Sequence, residues 1–198
     1  MKAITKNRHE VFNELVGKLF LEYHPKIHQS IHNLYHQHDN ALIEQFIGKT
    51  NSILDLFKSN HEAMSVLDIS YLFSLPKVKK YQFKIDGYNS LYYLDTVEKS
   101  SYFDYSILIQ DKDEYFNQIC KTVCESIKRV MDYEIQELEQ YFMVIYFMVI
   151  KEVFSIIVNS DIFTDFLNNN KECISNLFYI KYGGYLDDNS ILLREWRR

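Results

Sequence analysis

Residues 7–23 place Val11, Phe12, Leu15, Val16, Leu19, Phe20 and Tyr23 at helical spacing, with polar residues between them. This is the pattern of an amphipathic helix. Pro25 interrupts it and suits the first turn of a second helix. Ile27, Ile31, Leu34, Tyr35, Leu42 and Phe46 carry a new stripe to Gly48, which can cap its end. Ile53, Leu54, Leu56 and Phe57 predict a short third helix over 52–58, and 63–73 reads as a fourth.

The period changes near Lys79. Tyr81, Phe83 and Ile85 alternate with Gln82, Lys84 and Asp86, which is a strand pattern. Asp86-Gly87 is a turn signal, so the pattern predicts a hairpin there, with 91–94 as the return strand. A third strand is expected over 102–109.

Helical spacing returns at Asp111. Phe116, Ile119, Val123, Ile127, Val130, Ile135, Leu138, Phe142, Ile145 and Val149 mark one face of a helix running toward Val158. Its length makes a break expected. Within it lies an exact tandem, Tyr141–Ile145 and Tyr146–Ile150. Five residues rotate a helix by about 500°, so the copies face about 140° apart and wrap the helix in apolar side chains. Asn159-Ser160-Asp161 can end this helix and cap the next. Residues 172–182 read as a further helix stopped by Gly183-Gly184, and 192–198 as a final turn. The expected fold is mainly α, in one domain over 1–198. It is a helical bundle around a long buried helix, with a small antiparallel β element in the middle, near 79–109.

Composition adjusts this picture in a few places. The 198 residues include 16 Tyr and 14 Phe but only 5 Gly and 2 Pro. Such a chain builds its core on aromatic and β-branched residues and has few places for long irregular loops. The net charge of -5 disfavours a general nucleic-acid binder, which needs a basic surface. Cys120, Cys124 and Cys173 match no zinc spacing, and Cys120 and Cys124 stand at i, i+4. They read as reduced thiols of an intracellular protein. The polar opening over 1–10 predicts no secretory signal. The ten apolar residues 141–150, followed by Lys151-Glu152, read as core rather than as a membrane span. The expected setting is cytoplasmic.

Histidine forms the sharpest chemical cluster. His24, His28, His32, His36 and His38 fall within fifteen residues. On a helix, i, i+4 histidines share a face and can chelate one ion. The His28/His32/His36 ladder drifts along the flank of the Ile27/Ile31/Tyr35/Leu42 stripe. Asp39 follows on the same side, so His32, His36 and Asp39 could form a two-histidine, one-carboxylate set for Zn, Fe or Ni. The competing reading is a half-exposed polar flank with no cofactor, and a hydrogen-bonded core role for His38.

Catalytic signatures are missing. His61-Glu62 starts a zincin helix, but Ser65 stands where the second histidine belongs. Glu134 and Glu137 are not followed by Glu-x-x-His. No glycine-rich phosphate loop and no G-x-S-x-G occurs. The acidic run Asp132, Glu134, Glu137, Glu139 reads as a solvent face, and Arg194, Arg197 and Arg198 with Trp196 as a solvated basic tail.

Tyrosine suggests binding. Tyr88, Tyr92, Tyr93, Tyr102 and Tyr105 crowd the β region beside Lys77, Lys79, Lys80 and Lys84. Aromatic anchors rimmed by charge suit a protein interface. They also suit strand packing. The candidate interface residues are Tyr88, Tyr92, Tyr102, Lys79 and Lys80.

At Tyr81–Tyr88, Tyr93-Leu-Asp95, Asp132–Ile135 and Tyr182–Asp187 the chain resembles an uncharacterised protein family of low-GC Gram-positive bacteria. The resemblance spans residues 69–190. It implies a bacterial, phage or mobile-element origin and carries over no activity. The leading expectation is a non-catalytic protein-binding module. It would act as an adaptor or inhibitor with another protein as partner, including a phage protein acting on a bacterial defence complex. The alternative is a metal-dependent protein using the histidine ladder.

Overall fold

A computed structural model describes residues 7–72, 80–92, 99–184 and 190–198. Among these are four α-helices and five strands: α1 (Arg8–Ser59), β1 (Met64–Tyr71), β2 (Gln82–Tyr88), β3 (Ser100–Asp104), α2 (Lys112–Ser126), α3 (Asp132–Val158), α4 (Asp161–Asn169), β4 (Ile174–Gly184) and β5 (Ile191–Arg197). The strands form one mixed sheet in the order β3-β2-β1-β4-β5. β1 is antiparallel to β2 and parallel to β4. The expectation of a helical bundle with a small antiparallel β element is therefore overturned; the fold is α plus a substantial mixed sheet.

Three segments changed class, each for a physical reason. Residues 63–73 were expected as a helix, but Met64–Ser70 are all buried in the central strand β1. A strand covered on both faces loses its alternation, and a short apolar run then carries no period. Residues 172–182, expected as a helix, leave a 3-10 turn (Lys171–Cys173) and enter β4, where Phe178, Ile180 and Tyr182 alternate inward. The last residues are the edge strand β5 rather than a turn.

Asp86-Gly87 is not a turn. Both residues lie inside β2, paired with Asp68 and Leu67. Glycine is required there by a close approach: a Cβ would come within 2.4 Å of Ile53 Cγ2 and 2.9 Å of Phe57 Cε2. The return strand is β3, at 100–104. Of the expected strand 91–94, Leu91 and Tyr92 are not in a strand, while 93–94 lie outside the described residues. Beyond Asp104 the expected third strand gives way to a 3-10 turn, Ser106–Ile109.

α1 runs through both Pro25 and Gly48 and breaks instead at His38 (φ -130°, ψ 16°). Pro25 cannot donate to the carbonyl of Leu21, but both residues are exposed, so water can satisfy that oxygen. The expected break in the long helix falls between Ser126 and Asp132, where Arg129 takes a φ of 59°. α3, 27 residues long with mean hydropathy 2.0 in its most apolar window, could cross a membrane by length and composition. That window is 61% buried, as in a core helix. It is not wrapped on every side, because the tandem leaves Tyr141 and Met148 exposed.

The chain divides into two compact units. The first comprises Met1–Asn33 and Leu108–Ile150. Here Phe12, Val16, Leu19, Tyr23, Ile27 and Ile31 of α1 are buried, as are Ile119, Val123, Leu138, Phe142 and Ile145. Tyr23 meets Tyr115 and Phe142 edge-on, with centroids 5.9 and 6.0 Å away. Arg8 clamps Glu134 at 2.6 and 2.7 Å. Glu134 also accepts the Met131 N–H at 2.8 Å, closing the first turn of α3 like a capping box.

The second unit, Leu34–Ile107 and Lys151–Arg198, holds the sheet. Its core is aromatic. Phe154 lies 5.1 Å from both Phe83 and Phe103, 5.6 Å from Phe46 and 5.9 Å from Tyr182. Ser160 caps α4 through the Phe163 N–H, and Arg194 ties β5 to Val158 O and to Thr164 Oγ1.

Candidate functional site

Alternation along each strand gives the sheet two unlike faces. Leu67, Ile69, Phe83, Ile85, Phe103, Phe178, Ile180 and Tyr182 are buried on the face that meets Phe46 and Phe154. The other face takes the intervening residues, and many of these are charged. Register places Asp68 of β1 directly opposite Asp86 of β2. Asp86 lies opposite Ser100 of β3, and Asp68 opposite Lys181 of β4. One polar row, Ser100–Asp86–Asp68–Lys181, thus crosses four strands. The neighbouring row runs Tyr102–Lys84–Ser70.

Both carboxylates in the row are buried, at 5% and 3% exposure. Each is anchored through one oxygen. Asp86 Oδ1 pairs with Lys84 Nζ at 3.1 Å and accepts a hydrogen bond from the Ser100 hydroxyl. Asp68 accepts one from the Tyr92 hydroxyl. The remaining oxygens, Asp68 Oδ1 and Asp86 Oδ2, have no hydrogen-bond partner among the described residues. Burial pushes the Asp68 carboxyl up to about 6, and the Asp86 charge adds to this against the opposing pull of Lys181 and Tyr92.

Tyr92 covers the pair from the β2–β3 connection. Its φ of 51° is in the left-handed region that a non-glycine residue adopts at a cost. Its ring lies edge-on to Tyr88 at 5.0 Å and beneath Lys181 Nζ at 4.4 Å, a cation–π contact.

Of the expected interface residues, Tyr88 and Tyr92 are half-buried, Tyr102 is 44% exposed and Lys80 is exposed. Tyr88 and Tyr102 lie on the Asp86 side of the sheet, and Tyr92 reaches that side through Asp68. Lys79 and Lys77 lie outside the described residues. Tyr105 belongs to the core, 4.7 Å from Phe83.

On α1, His28 and His32 are half-buried with ring centroids 4.3 Å apart, and His24 follows His28 at 6.3 Å. His36 is exposed, and Asp39, half-buried, stands beyond the irregular residue His38 and accepts the N–H of Asn40. Of the cysteines, Cys124 is exposed, while burial first, then Cys124 and Glu139, push the Cys120 thiol up to about 11. Two further expectations are corrected. Glu134 is a buried, paired residue rather than part of a solvent face, and Trp196 is buried in β5 rather than part of a solvated tail.

Sequence reasoning passed over Asp68, Asp86, Lys84 and Lys181 as a group. The signal was partly present in Asp68-Ile-Ser70 and Lys84-Ile-Asp86, where polar residues two apart flank an apolar one. Reading 63–73 as a helix hid it, because only strand pairing brings Asp68 beside Asp86. Comparison with known proteins adds no relative: no family model, no curated protein and no solved structure matches the chain.

Proposed function

We propose that the protein is a non-catalytic binding module, an adaptor or inhibitor. It engages another protein through the tyrosine-bearing side of its β2–β3 hairpin. The observation that carries this reading is the gathering of Tyr88, Tyr92 and exposed Tyr102 on the sheet side opposite the aromatic core. Tyrosine gives large contact area at small rotamer cost, and exposed Lys80 supplies rim charge. The resemblance to a Gram-positive family favours a bacterial or phage setting and a cytoplasmic location. The net charge of -5 favours a protein over a nucleic acid as partner. An inhibitor of a bacterial defence complex is the specific form this reading takes.

The test is a paired capture from bacterial extract with wild-type and Tyr102→Ala baits, followed by titration of the captured partner. Binding should weaken by about 1–3 kcal/mol in the variant, the range of interface truncations. Lys80→Glu should mainly slow association and change its salt dependence. Equal affinity for wild type, Tyr102→Ala and Tyr88→Ala sinks this reading.

A second reading rests on the His28–His32 ring contact of 4.3 Å. In it, the ladder binds Zn, Fe or Ni. Elemental analysis of untagged protein expressed with metal supplied decides it: a stoichiometric ion lost in His32→Ala supports the reading, and no bound metal ends it.

A further inference from the structure

We propose that Asp68 and Asp86 form a binding site for an oxygen-seeking divalent cation of the Mg²⁺ or Ca²⁺ class, beneath Tyr92 on the polar side of the sheet. The two side chains sit opposite each other on adjacent antiparallel strands. Directly paired positions hold their Cβ atoms about 4.5–5.5 Å apart, within reach of one ion for two carboxylates. Each side chain offers one buried oxygen with no hydrogen-bond partner among the described residues, Asp68 Oδ1 and Asp86 Oδ2. A buried carboxylate oxygen left unpaired is costly, and a bound cation would relieve that cost.

The rest of the arrangement is that of oriented ligands. The second oxygen of each carboxylate is already held, by Tyr92 in one case and by Lys84 and Ser100 in the other. Ligating carboxylates are characteristically fixed by such outer hydrogen bonds. The donors are all oxygen, which selects hard cations over the zinc, iron and nickel that imidazoles favour. Mg²⁺ commonly uses only one or two carboxylates and retains several waters. Lys84 and Lys181 set the limit on affinity. Their charges oppose the ion, so the site is a weak one, with Kd on the order of 10⁻⁴–10⁻³ M. They also leave the occupied site positive, which suits an anionic group on any molecule that binds with the ion.

The test is calorimetric titration of the full chain with Mg²⁺ and, separately, Ca²⁺, at constant ionic strength. Neither ion is a good probe of the histidine pair, so the signal reports on the carboxylates. Wild type should bind one ion saturably. Asp68→Asn and Asp86→Asn, which keep side-chain shape, should each weaken binding by about tenfold or more, the scale of losing a metal's support. Lys181→Met should tighten it, an effect that a purely structural role for the row does not produce. Tyr102→Ala should leave it unchanged, which separates this site from the proposed protein interface. Absence of saturable binding in wild type at about 10 mM ion, an order above the expected range, overturns the proposal. So do titrations that are the same in wild type, Asp86→Asn and Lys181→Met.

Discussion

Glu134 and Asp68 are both buried carboxylates, one in each unit of the chain, and they are treated in opposite ways. Glu134 receives two hydrogen bonds from Arg8 and one from the Met131 N–H. Those contacts, the Arg8 bond foremost, hold its carboxyl below the ordinary range. Asp68 has one tyrosine hydroxyl, a second carboxylate for a neighbour and one oxygen with no hydrogen-bond partner among the described residues, and its carboxyl is pushed up. Burial alone does not decide the direction; the number of donors that arrive with it does. The first carboxylate fastens the α2–α3 turn to the start of α1. The second is held ionisable at some cost to stability, which is a mark of functional sites.

The largest pH-dependent effect follows from that opposition. At pH 7, Asp68→Asn removes a charge that burial disfavours. A shift from 3.8 to about 6 corresponds to about 3 kcal/mol at 1.36 kcal/mol per unit, so the variant should be more stable by up to that amount. The folded state binds this proton more tightly than the unfolded state does. The contribution of Asp68 is therefore full below pH 3.8 and is lost as pH rises through about 6. The advantage of Asp68→Asn should accordingly vanish near pH 4 and grow toward pH 7. Glu134→Gln should behave in reverse. Its ordinary carboxyl value of 4.5 is lowered in the fold, so the stabilisation is present above that value and is lost as pH falls through the folded value. Melting curves of both variants from about pH 2 to 7, a range that spans the fall of the lowered Glu134 carboxyl, check this. If both substitutions lower the melting temperature at pH 7, the contrast fails.

The next effect concerns packing. Gly87 faces Ile53, Phe57 and Met64 so closely that Gly87→Ala must displace them. The expected loss is about 1–3 kcal/mol, the cost of overpacking. Gly17, exposed on α1 in the first unit, has nothing within 4 Å of where a Cβ would stand. Gly17→Ala should gain about 0.5–1 kcal/mol, because alanine costs less entropy in a helix. Denaturant midpoints of the two variants should therefore move in opposite directions. A neutral Gly87→Ala would show that β2 can draw away from α1.

These contrasts also explain what could be read from the sequence. Helices with a wet face announced themselves. The stripes of α1 were legible from Phe12 to Phe57, and Ser160 could be recognised as a cap. The sheet's centre was not legible. β1 is buried on both faces, and its polar residues Ser65, Asp68 and Ser70 keep no regular alternation along the run from Met64 to Ser70. Asp86-Gly87 carried the residue types of a turn, although its glycine answers to tertiary packing at Ile53 and Phe57. The candidate interface tyrosines were visible as a composition, but their common side required the register of β2 with β3. The Asp68–Asp86 pair, separated by 18 positions, required the register of β1 with β2.

The smallest expected effect on stability is also the most informative about the hairpin. Tyr102 stands on β3, an edge strand, opposite Lys84 and 44% exposed. Its ring adds some strand packing, so Tyr102→Ala should cost within about 0.5 kcal/mol, as for exposed positions generally. Phe103, one residue along, is 1% exposed and 5.1 Å from Phe154; its truncation belongs to the class that costs about 3–5 kcal/mol. Adjacent residues on one short strand should thus separate almost completely in a melting experiment. Loss of partner affinity in Tyr102→Ala without loss of stability would mark the side chain as a contact residue. If Tyr102→Ala instead destabilises the protein as Phe103→Ala does, the ring is structural. The tyrosine side of the hairpin is then a packed surface, and the protein interface must be sought elsewhere.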